Sequence, residues 1–490
     1  MRWAAGRERP ISAIYWHADR IRCPNARESG KGSQRRWGQS CVGKSVRPTL
    51  AVIGAGPKGI GIAAKRRILE AHFCVPDLLV IEQTAVAAAW TGGHGFTDGL
   101  QLLGTAPEKD IGFPYASECW KKNGDDHSTK INVGMLSYSW QQFLIATKAR
   151  GFADWVDRGR VPPNHLEWSD YLKWAWNQTG ATLTEAEVCK IDLNKGRWEL
   201  SLKGKKRAAL PPVLVDGLVI TGTGPAKRIE GQPPSHPSIL DGRSFWQPQR
   251  MERILLAKKP RVALVGKGET AAAIAHTLLS KRIPDMLINL IGGPVYSRGE
   301  GYYENRVFTD PEGHAWSDWD QTERRAFVGH TDQGVFSQHA SELLRLSKVD
   351  DSQFRWLPGR VVNVETDDQD DMRVLLTIKA TGPDPVINNF NFLIVSTGFQ
   401  SLRFREFMTP LAAAALDEAI QCQWTPDGQR KYREELEAHI DRDLSVRGLR
   451  PRLHLPMLAG FAQGPGFPNL SCLGRLSDRI LHPYTDATDV

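Results

Sequence analysis

Two glycine-rich turns carry the chemistry this sequence can do. The first, Gly54-Ala55-Gly56-Pro57-Lys58-Gly59, follows the apolar run Leu50-Ala51-Val52-Ile53 and precedes a helix-like stretch. A second apolar run then ends on Glu82, 28 residues after Gly54. That order is strand, turn, helix, strand and acid. Gly54 permits the tight turn, Gly56 lets the backbone approach a pyrophosphate, and Gly59 lets the helix pack on its strand. Pro57 belongs to the same turn and is counted with its glycines as cofactor-binding. The helix amides face a negative charge, and Glu82 is placed for a ribose hydroxyl. The second turn, Gly266-Lys267-Gly268-Glu269-Thr270-Ala271, follows Val262-Ala263-Leu264-Val265. Its next strand leaves through Gly292-Gly293 without an acid, and Arg298 follows soon after. A missing acid avoids repelling a ribose 2′-phosphate, and Arg298 is placed to pair with one or else is a solvated loop charge. Two such units more than 200 residues apart hold two dinucleotides. The pattern fits FAD in the first and NADPH, rather than NADH, in the second.

The elements that position these turns predict an α/β chain of two Rossmann-like dinucleotide-binding domains with a smaller, mainly helical substrate-binding region. Residues 1–47 form a basic extension on which folding is expected not to depend. Residues 48–250 are expected to form the first segment of the FAD-binding domain. Residues 251–395 form the NADPH-binding domain with inserted loops, and residues 396–490 form a substrate-binding region and a return to the first domain. Amphipathic, Trp-rich stretches near 137–150 and 168–178 read as helices, and alternating runs in 184–219 read as hairpins. Ser396-Thr397-Gly398-Phe399 closes a strand, with Gly398 keeping a tight turn near the nucleotide sites. Trp90, in a glycine-rich loop, either covers a cofactor face or anchors a core.

Bulk properties exclude several classes. The 490 residues carry a net charge of +8, and residues 1–47 hold eleven basic against three acidic residues. The remainder is therefore neutral, which argues against a nucleic-acid-binding body. No apolar stretch reaches the length of a membrane span. The seven cysteines are scattered and contain no Cys-x-x-Cys. This fits a reducing cytoplasm and argues against a dithiol–flavin reductase. The histidines lack the spacing of a metal site, and none is expected. An FAD/NADPH oxidase and a non-enzymatic nucleotide-binding regulator are the remaining alternative classes.

The paired turns, Gln101, Glu108-Lys109-Asp110, Tyr303-Glu304-Asn305-Arg306, Ser396–Phe399 and Asn469-Leu470-Ser471 together resemble the class B flavin monooxygenases. The likeness is to the microbial lysine and ornithine N-hydroxylases of siderophore and natural-product biosynthesis. It implies bound FAD reduced by NADPH, molecular oxygen captured as a C4a-hydroperoxyflavin, and conversion of L-lysine to N6-hydroxy-L-lysine. L-ornithine N5-hydroxylation, or hydroxylation of a diamine or another amino acid, is the alternative. No catalytic side chain is implied beyond the flavin chemistry. The resemblance assigns Lys109 to the substrate carboxylate, Asn305 to the amino acid's polar groups and Gln101 to the flavin ring. Ser471 and Ser477 match positions in the terminal closure over flavin or substrate, against helix capping or local hydrogen bonding as the plainer roles. It also leaves a homodimer or a homotetramer open.

Overall fold

The computed structural model describes residues 47–487 apart from 95–96, 294–295, 298–300, 332–334, 337–340, 342–351, 368–369 and 380–385. The described chain begins with β1 (Thr49–Ile53), α1 (Pro57–Leu69) and β2 (Asp77–Glu82). Helices Trp140–Thr147 (α2) and His165–Thr179 (α3) follow, then β3 (Leu183–Asn194), β4 (Arg197–Gly204), β5 (Ala209–Val215) and β6 (Gly217–Ile220). The second unit contains β7 (Ile239–Asp241), β8 (Arg261–Val265), α4 (Glu269–Ser280), β9 (Leu287–Gly292), β10 (Phe354–Pro358) and β11 (Phe392–Val395). Between β9 and β10 lie α5 (Tyr302–Thr309) and α6 (Gln321–Thr331). The chain then returns through β12 (Arg452–His454) and α7 (Leu473–Leu481).

The first sheet runs β12-β6-β1-β2-β3-β4-β5, parallel as far as β3 and antiparallel beyond it. Leu50, Ala51 and Val52 are wholly buried, as a strand covered by helices on both faces requires. The outer strand β5 carries Pro211 and Pro212 opposite a register shift in β4, between Leu200 and Leu202. The second sheet is parallel throughout, in the order β10-β9-β8-β11-β7. β7 pairs with β11, so residues 239–241 belong to the second sheet, ahead of the boundary at 250 that composition suggests. Three residues are too short for a hydrophobic period to register, which is why pairing alone reveals the strand. An antiparallel sheet of Arg360–Asp367, Asp370–Lys379 and Val386–Phe390 is inserted before β11.

The Trp-rich stretches are core helices. Ser139 caps α2 through the Gln142 amide at 3.1 Å, and Asn164 caps α3 through the Glu167 amide at 2.8 Å. Gly180 ends α3 in the left-handed region. Trp140 and Trp168 are fully covered, with ring centroids 5.9 Å apart.

Candidate functional site

The first glycine turn has the geometry of an anion cradle. Gly54 takes φ +108°, donates to the Ile81 carbonyl at 2.8 Å and lies so close to Thr221 that a Cβ would overlap its hydroxyl. A Cβ on Gly59 would overlap the Gly54 carbonyl oxygen, so the helix meets the turn at glycine distance. Gly56, the residue before α1, faces open space within 4 Å of its Cβ position. Pro57 starts the helix and no acid lies in its first turn. An open glycine beside helix amides suits a pyrophosphate. The Glu82 carboxylate accepts the Ala55 amide at 3.2 Å and the Thr84 amide at 2.9 Å, which fixes it at the tip of β2.

Lys58 is the residue of this turn whose role the sequence did not single out. Its partly buried ammonium reaches 410 residues along the chain to donate to the Pro468 carbonyl at 2.6 Å. Burial pulls its pKa down to about 8, with Cys472 opposing the shift. The available signal was a long cation standing inside a glycine turn, where a small side chain would suffice.

The second turn repeats the backbone pattern. Gly266 takes φ +131° where a Cβ would overlap the Ser396 carbonyl, and Gly268 precedes α4 in extended conformation. Thr270 lies in the first turn of α4, its methyl 2.8 Å from where a Cβ on Gly242 would stand. Gly398 takes φ +95° and its carbonyl accepts the Lys227 amide at 2.9 Å, joining the end of β11 to the segment that links the two sheets. Arg298 lies outside the described residues.

Lys109 and Asn305, 196 residues apart, meet directly. The Lys109 ammonium donates to the Asn305 Oδ1 at 2.9 Å. Each partner is held from below. Asp110, 2% exposed, accepts the Tyr115 hydroxyl at 2.6 Å and the backbone amides of Gly112 and Trp140 at 3.1 and 2.9 Å. Its carboxylate thereby ties the loop bearing Lys109 to the start of α2. Burial raises the Asp110 pKa to about 6 against the opposing effect of these hydrogen bonds. On the other side, Asn305 Nδ2 donates to the Gly301 carbonyl at 3.2 Å. The segment containing α5 and α6 docks on the C-terminal region: Arg475 pairs with Asp310 at 3.1 Å, Arg479 with Glu312 at 2.6 Å, and Trp316 donates to the Phe461 carbonyl at 3.0 Å. A cation and an amide brought together this way suit the carboxylate and amino group of an amino acid.

Other candidates take different places. Gln101 Nε2 donates to the Thr277 hydroxyl on α4 at 2.9 Å, so its amide clasps the first unit to the second. Trp90 stands edge-on to His165 at 4.8 Å and to Trp168 at 6.5 Å, in the aromatic cluster above α3. Ser471 is buried, and its amide donates to Asn469 Oδ1 at 2.8 Å. The Ser477 hydroxyl donates to the Leu473 carbonyl at 2.9 Å within α7, close to where Gly61 of α1 passes. That is the local hydrogen bond of the plainer reading, and it engages the hydroxyl's one proton.

Comparison with known proteins shows what the chain as a whole is similar to. A family model described as L-lysine 6-monooxygenase/L-ornithine 5-monooxygenase matches residues 135–401. The chain is 38% identical over 434 residues to the L-lysine N6-monooxygenase MbtG of Mycobacterium sp. (strain MCS), covering 88% of this chain and 94% of that protein. The MbtG of Mycobacterium tuberculosis is 36% identical over 437 residues, with 89% and 95% covered. Among solved structures, the lysine monooxygenase NbtG of Nocardia farcinica superposes with a TM-score of 0.73 at 34% identity, covering 88% of this chain and 98% of its own.

Proposed function

The chain belongs to the L-lysine 6-monooxygenase/L-ornithine 5-monooxygenase family, and on that premise we propose that it converts L-lysine to N6-hydroxy-L-lysine with bound FAD, NADPH and molecular oxygen. The observation that carries the lysine assignment is the identity of 36–38%, over most of the chain, to L-lysine N6-monooxygenases, and the hydrogen bond between Lys109 and Asn305 at 2.9 Å supports the location of the amino-acid site. The first glycine turn, open at Gly56, takes the FAD pyrophosphate, with Glu82 at the adenosine ribose. The second turn, with Gly266, Gly268 and Thr270 and no acid ending β9, takes NADPH. When bound, FAD reduced by NADPH activates molecular oxygen for transfer to the substrate amine.

The side chains then bind and orient. Lys109 receives the substrate carboxylate as a point charge, which demands no fork geometry. Asn305 presents both an acceptor and donors to the polar end of the amino acid. The distal amine must lose its proton before it can accept oxygen, because an ammonium has no lone pair. Cytoplasmic residence belongs to the same reading. It is supported by the free thiols of Cys119, Cys189, Cys422 and Cys472 among the described residues and by the need for reduced nicotinamide. Among the described residues no helix is long and apolar enough to cross a membrane. A homodimer or homotetramer is the expected assembly.

The deciding experiment offers FAD-loaded protein equal concentrations of lysine, ornithine and diamines with NADPH, and follows product mass. Lysine should gain the mass of one oxygen atom, in step with NADPH consumed; ornithine as the dominant product would overturn the substrate assignment. Lys109→Met should raise the KM for lysine about 10- to 100-fold, as expected for losing a charge-assisted hydrogen bond, with little change in the KM for NADPH. An unaltered lysine KM in that variant would remove Lys109 from the site.

A further inference from the structure

Residues 464–468 lie between the cofactor turn and the substrate pair. On one side the Lys58 ammonium, from the second position of α1, donates to the Pro468 carbonyl at 2.6 Å. On the other side the loop backbone is pressed against the end of α5. A Cβ on Gly466 would overlap the Phe308 carbonyl oxygen and stand 2.9 Å from the Cys472 sulfur. Gly464, at φ +126°, leaves no room for a Cβ beside Pro311. Both glycines are therefore required for close approach, and any displacement of the loop is felt by α5 directly. Asn305 precedes Phe308 by three residues on the same helix, one turn away.

We propose that Lys58 is a positioning residue for the substrate site: its hydrogen bond to Pro468 fastens residues 464–468 to the cofactor turn, and the loop seats α5 so that Asn305 stands opposite Lys109. The proposal rests on the assignment of Lys109 and Asn305 to the substrate. Other ties have a different reach. The pairs Arg475–Asp310 and Arg479–Glu312 hold the α5–α6 segment to α7, and Lys65 pairs with Asp478 at 2.7 Å to hold α7 to α1. Within the loop, Asn469 Nδ2 donates to the Pro465 carbonyl at 3.1 Å, which braces its shape. Lys58 joins that braced loop to the glycine turn. Desolvation penalises the ammonium at this position, yet the side chain spans the gap and reaches a carbonyl, which has the strength of a charge-assisted hydrogen bond.

The test uses the FAD-loaded protein and three substitutions. Lys58→Met keeps the stem and removes the donor, and Lys58→Arg restores a donor. Gly466→Ala acts at the opposite end of the same path without touching the lysine. Lysine binding to the oxidised protein is measured by calorimetry, FAD content by absorbance, and backbone amide exchange in residues 460–470 by mass spectrometry. Lys58→Met and Gly466→Ala should each weaken lysine binding about tenfold and speed exchange in that segment, with FAD content held within about twofold. Lys58→Arg should recover part of the lysine affinity. Wild-type lysine affinity in Lys58→Met would overturn the proposal. So would loss of FAD in Lys58→Met with lysine binding intact in Gly466→Ala, because Lys58 would then serve the cofactor rather than the loop. A wild-type protein that binds no lysine would instead refute the substrate reading beneath it, and the exchange data would still report whether Lys58 holds the loop.

Discussion

Asp110 and Lys109 are neighbours with opposite tasks: the lysine faces Asn305, whereas the aspartate turns inward and spends its oxygens on Tyr115, Gly112 and Trp140. Its folded pKa, raised from 3.8 to about 6, means that the folded chain keeps a proton which the unfolded chain releases. Its stabilising contribution is therefore complete below 3.8 and is lost as pH rises through 6. Asp110→Asn cannot titrate. The variant should be less stable at every pH, through loss of an acceptor for the Trp140 amide, but the gap to wild type should narrow by about 2 kcal/mol between pH 4.5 and 6.5. Urea unfolding at the two values measures it, and parallel shifts would refute the argument. At this scale sequence reveals residue type better than partnership. Lys109 and Asn305 stood out, but a bond across 196 residues is a product of the fold. For Gln101 and Ser477 the partners, Thr277 and the Leu473 carbonyl, decide the role, and no local pattern announces them.

For the elements, the hydrophobic runs around both glycine turns were legible because buried parallel strands need apolar residues on both faces. The two glycines of the first turn also separate by what surrounds them. Gly59 abuts the Gly54 carbonyl, whereas Gly56 borders open space. Gly59→Ala should thus strain the join of β1 and α1, lowering the melting temperature of the apoprotein as well as FAD affinity. Gly56→Ala should leave the apoprotein's melting temperature nearly unchanged and weaken FAD by about tenfold or more, since the methyl fills the side meant for the pyrophosphate. Calorimetric melting and FAD titration on both variants compare the two costs, and equal apoprotein destabilisation would refute the distinction. What the sequence concealed were the short elements. β7 has three residues, and α5 and α6 depend for their docking on Arg475, Arg479 and Phe461 far downstream.

Over the whole molecule, the chain crosses between its units more than once. β6 leaves the first sheet, β7 to β11 build the second, and β12 returns beside β6. The proposed substrate pair therefore draws Lys109 from the first unit and Asn305 from an insertion in the second. Net charge read correctly as a local matter of residues 1–47, because the remainder is neutral. A neutral body has little long-range repulsion to keep copies apart, which gives weight to the border of the larger sheet at β5, beyond which no strand pairs among the described residues. There β5 exposes Leu210 and Leu214, but Pro211 and Pro212 lack backbone donors and sit at a register shift. A neighbouring chain cannot extend a regular ladder along such a border. The prolines thus guard against self-association during folding. Pro211→Thr combined with Pro212→Thr should increase light scattering on refolding at high concentration while leaving FAD content per folded molecule unchanged.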